Sequence, residues 1–309
     1  MTFERMVPMI ALVLIGAGWA LTHPLGKMVL NAGYPPIGII AWQLVIGSVV
    51  TFAVLLFRGR RLPFTRKAFF FWLMLALIGT LIPNFTSFSA MQHLPAGIMS
   101  IVIATIPMMS FPIALLLGID QFSYRRLFGL CLGLAGVSLI ALPEASLPDR
   151  AMVAVLPLAL VAPLFYAIEG NVVAKWGMGG QGPLRLLCGA SIVGACIAVP
   201  IALQTGTFIV PQYPLQTADW AMFGSSVIHV TVYTSYVWLV GRAGSVFAGQ
   251  VSYMVTGFGV IWAMLLLGER FSGWIWVALV LMCLGLLLVQ PRQTTPLATD
   301  KASSDTNPT

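Results

Sequence analysis

The chain has 309 residues, 59% of them hydrophobic and only 8% charged, with a formal net charge of +7. A soluble domain carries about 25% charged residues, so this composition excludes an ordinary aqueous surface and describes an integral membrane protein. The positive balance does not point to nucleic acid, because the basic residues sit at the ends of apolar runs and form no separate basic domain.

Continuous apolar runs of about 20 residues predict helical spans, whereas barrel strands would alternate over about 10. Ten spans are expected, near 7–30, 37–57, 68–88, 95–117, 124–142, 152–174, 183–203, 220–240, 244–267 and 272–290. The first run is long and leads straight into further spans, so no cleavable signal is expected. Loops are short except 204–219, and the polar tail 294–309 reads as disordered. Cys131, Cys188, Cys196 and Cys283 lie inside apolar runs without a Cys-x-x-Cys pair and read as small packing residues. His23, His93 and His229 have no metal-ligand spacing, so neither a metal nor another cofactor is expected.

Direction follows from Lys and Arg. With the N-terminus inside, the cytoplasmic side receives Arg5, Arg58, Arg60, Arg61, Arg66, Lys67, Arg125, Arg126, Lys175, Arg185, Arg242, Arg292 and Lys301, leaving Lys27, Arg150 and Arg270 outside. The positive-inside rule therefore places both termini in the cytoplasm. The chain also reads the same way twice. The stretch 96–137 runs through Leu117-Gly118 and Phe122-Ser123, and the stretch 243–289 runs through Leu267-Gly268 and Phe271-Ser272. Five spans per half is an odd number, so residues 1–142 and 152–290 are expected to be inverted repeats. Such repeats have two nearly equivalent packings, the bistability that alternating access needs.

The run Ala90-Met91-Gln92-His93-Leu94-Pro95-Ala96-Gly97 is followed by a span with Pro107, then Phe122-Ser123 and Gly129-Leu130-Cys131-Leu132-Gly133-Leu134-Ala135-Gly136-Val137. This resembles the first half of an EamA-type permease of the drug/metabolite transporter superfamily. Leu266-Leu267-Gly268-Glu269-Arg270-Phe271-Ser272 resembles the hallmark of the second half, and the likeness covers about residues 7–290. In the first half Ile119-Asp120-Gln121 replaces the Glu-containing turn. The resemblance implies an all-α fold of ten transmembrane helices in two inverted five-helix repeats, located in the cell membrane. It also implies export of metabolites, amino acids or drugs, and leaves the substrate open.

Charged side chains at a helix centre cost about 2.5–3.5 kcal/mol on insertion scales, which singles out Glu169 as the carboxylate clearly inside a span. It shares a helical face with Ala162 and Tyr166, about 9 Å from Pro163 along the axis. One reading is a pathway or coupling group; the other is a carboxylate that snorkels to the headgroups. His23, beside Pro24, takes the mirror position in the first half. It is either part of a proton relay with Glu169 or the partner of a carbonyl freed by the proline. Ser226, His229, Tyr233 and Tyr236 form a polar stripe on the eighth span. Cavity lining and interhelical bonding both explain it, and Tyr236 can also belong to an interfacial belt. Asn84 with Thr80 and Ser87, and Gln250 with Tyr253, are weaker sets of the same kind, while Lys27 and Arg242 are expected to snorkel. Pro83, Pro107, Pro112 and Pro163 mark helices able to bend or break.

The expected substrate cavity is lined by Trp19, Asn84, Tyr166, His229, Tyr233 and Tyr253, with Glu169 and His23 as coupling groups. No Gly-x-x-x-x-Gly-Lys-Ser/Thr loop is present, so ATP hydrolysis is not expected. No His-Glu-x-x-His or paired-Asp motif supports an enzyme. A secondary transporter of small molecules, coupled to protons or to exchange, is the leading reading. A sugar-phosphate or nucleotide-sugar exchanger would need buried cations, and no Lys or Arg lies deep in a span. A non-transporting assembly or sensor protein is the alternative from another class.

Overall fold

A computed structural model of the chain describes residues 3–141, 150–243 and 251–289, and regular structure among them is helical. The α-helices are α1 (Phe3–Asn31), α2 (Pro36–Phe57), α3 (Arg66–Met74), α4 (Ile82–Met91), α5 (Ala96–Ile103), α6 (Ile106–Leu116) and α7 (Tyr124–Ala141). A 3-10 turn (Arg150–Val155) leads into α8 (Leu156–Trp176), followed by α9 (Pro183–Gln204), α10 (Thr217–Ala243), α11 (Val251–Leu267) and α12 (Gly273–Val289). Among the described residues, six segments are long and apolar enough to cross a membrane: Val7–Asn31, Pro36–Phe57, Arg66–Met91, Ala96–Leu116, Ala151–Trp176 and Pro183–Gln204. Leu142, Gln290, the stretch 244–250 and the tail 294–309 lie outside the described residues.

Two expected spans are interrupted within their length. A π-helical stretch, Leu75–Leu81, joins α3 to α4 and ends two residues before Pro83. Proline lacks the N–H that would bond the carbonyl four residues back, and its ring crowds that carbonyl. A wider turn at Gly79 relieves the conflict. The fourth span breaks at Ala104 and Thr105, whose amides bond Ile101 and Val102 in tight 3-10 fashion, just ahead of Pro107 in the first turn of α6. Pro112 and Pro163, by contrast, sit within unbroken helices.

Packing follows a simple scheme. α1 lies against α10 and α11, α8 lies against α4 and α6, α2 pairs with α9, and α7 pairs with α12. The short α5 is the most enclosed element, with every residue from Ala96 to Val102 buried. Around it Val29, Ile39, Met91, Leu94, Leu156, Val260 and Ile275 form the main core. Large apolar side chains such as Phe57 and Leu116 stand almost fully exposed on the outer faces, as lipid-facing residues do. The long 205–216 connection docks on the bundle end: Trp42 donates from Nε1 to the Ile209 carbonyl at 2.8 Å and stacks on Phe208.

At the same end Glu269, in the turn between α11 and α12, accepts from the free amides of Ala96 (2.7 Å) and Gly97 (3.0 Å) at the start of α5. This is an N-terminal cap supplied from 173 residues away. Lys27 donates to the Met91 carbonyl at 2.5 Å, closing the C-terminal end of α4. Asp120, which takes the place of the Glu-containing turn in the first half, instead pairs with Arg126 in the first turn of the following helix, α7. Asp219, fully buried at the start of α10, accepts from Tyr34 Oη and from the Gln216 amide, each at 2.9 Å.

Candidate functional site

The polar and aromatic residues of the spans converge in one cluster. Trp19 of α1 sits edge-on to three rings of α10, with centroid distances of 6.0 Å to His229, 5.9 Å to Tyr233 and 5.7 Å to Tyr236. The spacing of three and four along α10 puts these side chains on one face, and α1 is the helix that this face meets. Each edge-to-face pair contributes about 0.5–1.5 kcal/mol beyond burial. Trp262 of α11 donates to the Ala17 carbonyl at 3.0 Å, holding a third helix against the same stretch of α1.

His23 lies one turn along α1 from Trp19. Its Nδ1 is 2.8 Å from Ser100 Oγ on α5, and its ring is within electrostatic reach of His229. Ser100 also approaches the Ala96 carbonyl at 3.1 Å. When the hydroxyl donates there, His23 must donate from Nδ1, which leaves Nε2 as an acceptor. Among the described residues the hydrogen-bond partner of the His23 ring is Ser100.

Tyr166 and Glu169 come from α8. Tyr166 Oη donates to Asn84 Oδ1 at 2.7 Å, and Asn84 Nδ2 donates to Gln43 Oε1 at 2.9 Å, a chain across α8, α4 and α2. Asn84 is buried, so its bonds replace hydration that lipid-embedded helices cannot supply. Glu169 points at the π turn of the third span. A methyl group added at Gly79 would stand 2.8 Å from its carboxyl carbon and 2.9 Å from both oxygens. Among the described residues no donor bonds Glu169 and no cation pairs with it. Its carboxyl group is within electrostatic reach of the phenols of Tyr166, Tyr233 and Tyr236.

Trp19, His23, Asn84, Tyr166, Glu169, His229 and Tyr233 are thus brought together, and Tyr236 joins them through Trp19 and Glu169. The side chain of Tyr253, and Gln250 and the Arg242 side chain, lie outside the described residues. His23 and Glu169 are not bonded to each other. His23 bonds α5 whereas Glu169 faces the π turn, so their surroundings are not mirror images. Three contributors escape a reading by span. Gln43 is a lone amide in an apolar run, a signal that was available. Ser100 and Gly79 are small residues whose role exists only through the side chain packed on them. Asn171, also on α8, donates to Ser110 Oγ at 2.7 Å and ties α8 to α6.

Such a cluster, mostly aromatic with a few fixed polar groups, is the usual form of a small-molecule site. It contains one carboxylate able to exchange a proton or meet a cation. The chain shares its fold with a solved crystal structure at a TM-score of 0.61 and 18% identity, covering 93% of this chain and 96% of that one. It is 25% identical over 303 residues to an uncharacterized inner membrane transporter, YedA, of Escherichia coli, covering 94% of this chain and 92% of the relative. A WAT1-related protein of Arabidopsis thaliana is 28% identical over 128 residues, covering 41% of this chain and 34% of that protein. The EamA-like transporter family matches twice, at residues 6–142 and 154–290. With its apolar helices and two family matches, the chain is a multi-pass membrane protein that belongs to the EamA-like transporter family.

Proposed function

We propose that the chain is a secondary active transporter that works by alternating access in the inner membrane. In this reading it has ten transmembrane helices in two inverted five-helix repeats, residues 1–142 and 152–290, with both termini cytoplasmic. The observation that carries the reading is the placement of the cluster where the two matched segments meet. α1, the α3–α4 rod and α5 come from one segment, and α8 and α10 come from the other. The packing pattern supports the repeats. Taking α3–α4 and α5–α6 as one rod each, exchanging every rod with its counterpart turns the main α1 contacts, with α10 and α11, into the main α8 contacts and leaves α2–α9 and α7–α12 unchanged. Two equivalent arrangements of this kind are what alternating access requires.

The cargo is a small metabolite, amino acid or drug-like amphiphile. None of the clustered side chains is Lys or Arg, which disfavours phosphate-bearing cargo. Trp19, Asn84, Tyr166, His229, Tyr233 and Tyr253 line its path, with His23 beside them. Glu169 carries the coupling proton or meets a cationic group of the substrate. A half-buried carboxylate within a span, with no cation paired to it among the described residues, is costly, and a role of this kind accounts for its presence.

The test is flux into liposomes holding the purified protein, under an imposed proton gradient, over a panel of amino acids, polyamines and lipophilic cations. Gradient-driven flux should collapse in Glu169→Gln, which keeps shape while removing titration, and the helix content should not change. Unaltered pH-dependent flux in that variant would reduce Glu169 to a snorkelling residue. No flux of any panel member by the wild type would favour the assembly or sensor reading. A cysteine in the 58–65 connection that reacted with an impermeant thiol reagent from outside the cell would overturn the orientation.

A further inference from the structure

We propose that the corner formed by the Gly177–Gly182 loop, the start of α9 and the 58–67 connection binds the phosphate of an anionic lipid headgroup. This inference goes beyond the transport reading and rests only on residence in a membrane.

Among the described residues, two buried donors at this corner have no acceptor. Gln181 is 5% exposed; its Oε1 accepts from Trp72 Nε1 at 2.8 Å, while its Nε2 is buried without a partner. Arg185, one turn further on, buries its Nε with no partner either. Burying an amide donor unsatisfied is costly, and burying one on a cation is costlier. Both sit at the amino end of the 22-residue α9, where the helix dipole also favours an anion. No Asp or Glu occurs between residues 170 and 218 or between 58 and 74, so neither segment supplies a carboxylate to Arg185.

The loop leaves room for a ligand. Gly177 and Gly180 have φ of 72° and 80°, and a Cβ at Gly177, Gly180 or Gly182 would meet nothing within 4 Å. Met178 and Leu62 pack on one apolar cluster with Phe71, Trp72 and Leu186. The 58–67 connection therefore borders the same corner, bringing Arg58, Arg60, Arg61, Arg66 and Lys67, all exposed. Phe64, Phe69 and Phe70 stand exposed beside them, and Phe64 lies edge-on to Trp72. Exposed aromatic rings next to a cluster of cations are the dress of a bilayer interface. A phosphate there can accept from the Gln181 amide and the Arg185 guanidinium together. The apolar flank suits a lipid and gives free phosphate nothing to contact.

The full-length protein in neutral detergent is titrated with phosphatidylglycerol, phosphatidylcholine and inorganic phosphate, and followed by native mass spectrometry and thermal unfolding. Phosphatidylglycerol should remain bound and raise the unfolding temperature, and the other two should do neither. Gln181→Glu keeps an acceptor for Trp72 but turns the free donor edge into an anion. It and Arg185→Gln should each weaken phosphatidylglycerol binding by about tenfold, as loss of a charge-assisted bond implies. Arg60→Gln with Arg61→Gln should change mainly the salt dependence. Failure of the wild type to retain phosphatidylglycerol, or equal binding by Arg185→Gln, overturns the proposal. Equal stabilisation by inorganic phosphate would make this a free-anion site, and equal binding of phosphatidylcholine would remove the selectivity for anionic lipid. If Gln181→Glu fails to fold, the wild-type titration and Arg185→Gln still decide.

Discussion

The contact between Glu169 and Gly79 gives the functional reading its most quantitative test. In Gly79→Ala the new methyl lies 2.8 Å from the Glu169 carboxyl carbon and 2.9 Å from its oxygens, where ordinary contact begins near 3.4 Å. The carboxyl group must therefore retreat by about 0.5–0.6 Å. A glutamate side chain can do so at an off-rotamer cost of about 0.5–1.5 kcal/mol, and alanine in place of a helical glycine returns about 0.5–1 kcal/mol. Net stability should stay within about 1 kcal/mol of wild type, seen as a nearly unchanged unfolding curve in detergent. Gradient-driven flux in liposomes should nonetheless fall several-fold or more, because the carboxyl group has left its position against the π turn. Wild-type flux in Gly79→Ala would refute the claim that the placement of this carboxylate against the π turn matters to transport. A stability loss above about 3 kcal/mol would refute the premise that Glu169 can move, since overpacking on that scale means a rigid site.

Glu269→Ala removes both caps of α5 and should cost about 2 kcal/mol, between a single capping residue and two bonds to a charged group. The thermal unfolding midpoint in detergent would show it, and a loss of a few tenths would mean that water replaces the cap. The Tyr34 bond to Asp219 predicts a dependence on alkaline pH. Donating to that carboxylate, and standing near its charge, raises the Tyr34 phenol above its ordinary 10.0. The folded chain thus holds this proton more tightly than the unfolded one. The contribution is complete below about pH 10 and is lost as pH climbs through the raised value. Unfolding curves from pH 8 upward should show an alkaline decline that is smaller in Tyr34→Phe; identical declines would remove the assignment.

Residence in the membrane, the all-helical character and the list of polar residues in the apolar runs were legible in the sequence. Lipid imposes length, apolarity and internal backbone bonding on each span separately, so these are local properties. The face shared by His229, Tyr233 and Tyr236 was legible for the same reason, since spacing along a helix determines direction around it. Pro83 and Pro107 announced departures from regular helix, but their form was not predictable. One became a π turn and the other a break, while Pro112 and Pro163 sit in continuous helices. Tertiary packing alone decided which helix each polar face meets. It put Trp19 against α10, passed the Tyr166 bond through Asn84 to Gln43, turned His23 to Ser100 and set Glu169 against Gly79. It also assigned Glu269 to a helix start 173 residues away, while Asp120 stayed with Arg126. The rotation of each helix, and the identity of its neighbours, depend on how all the helices pack at once, and no single span contains that information.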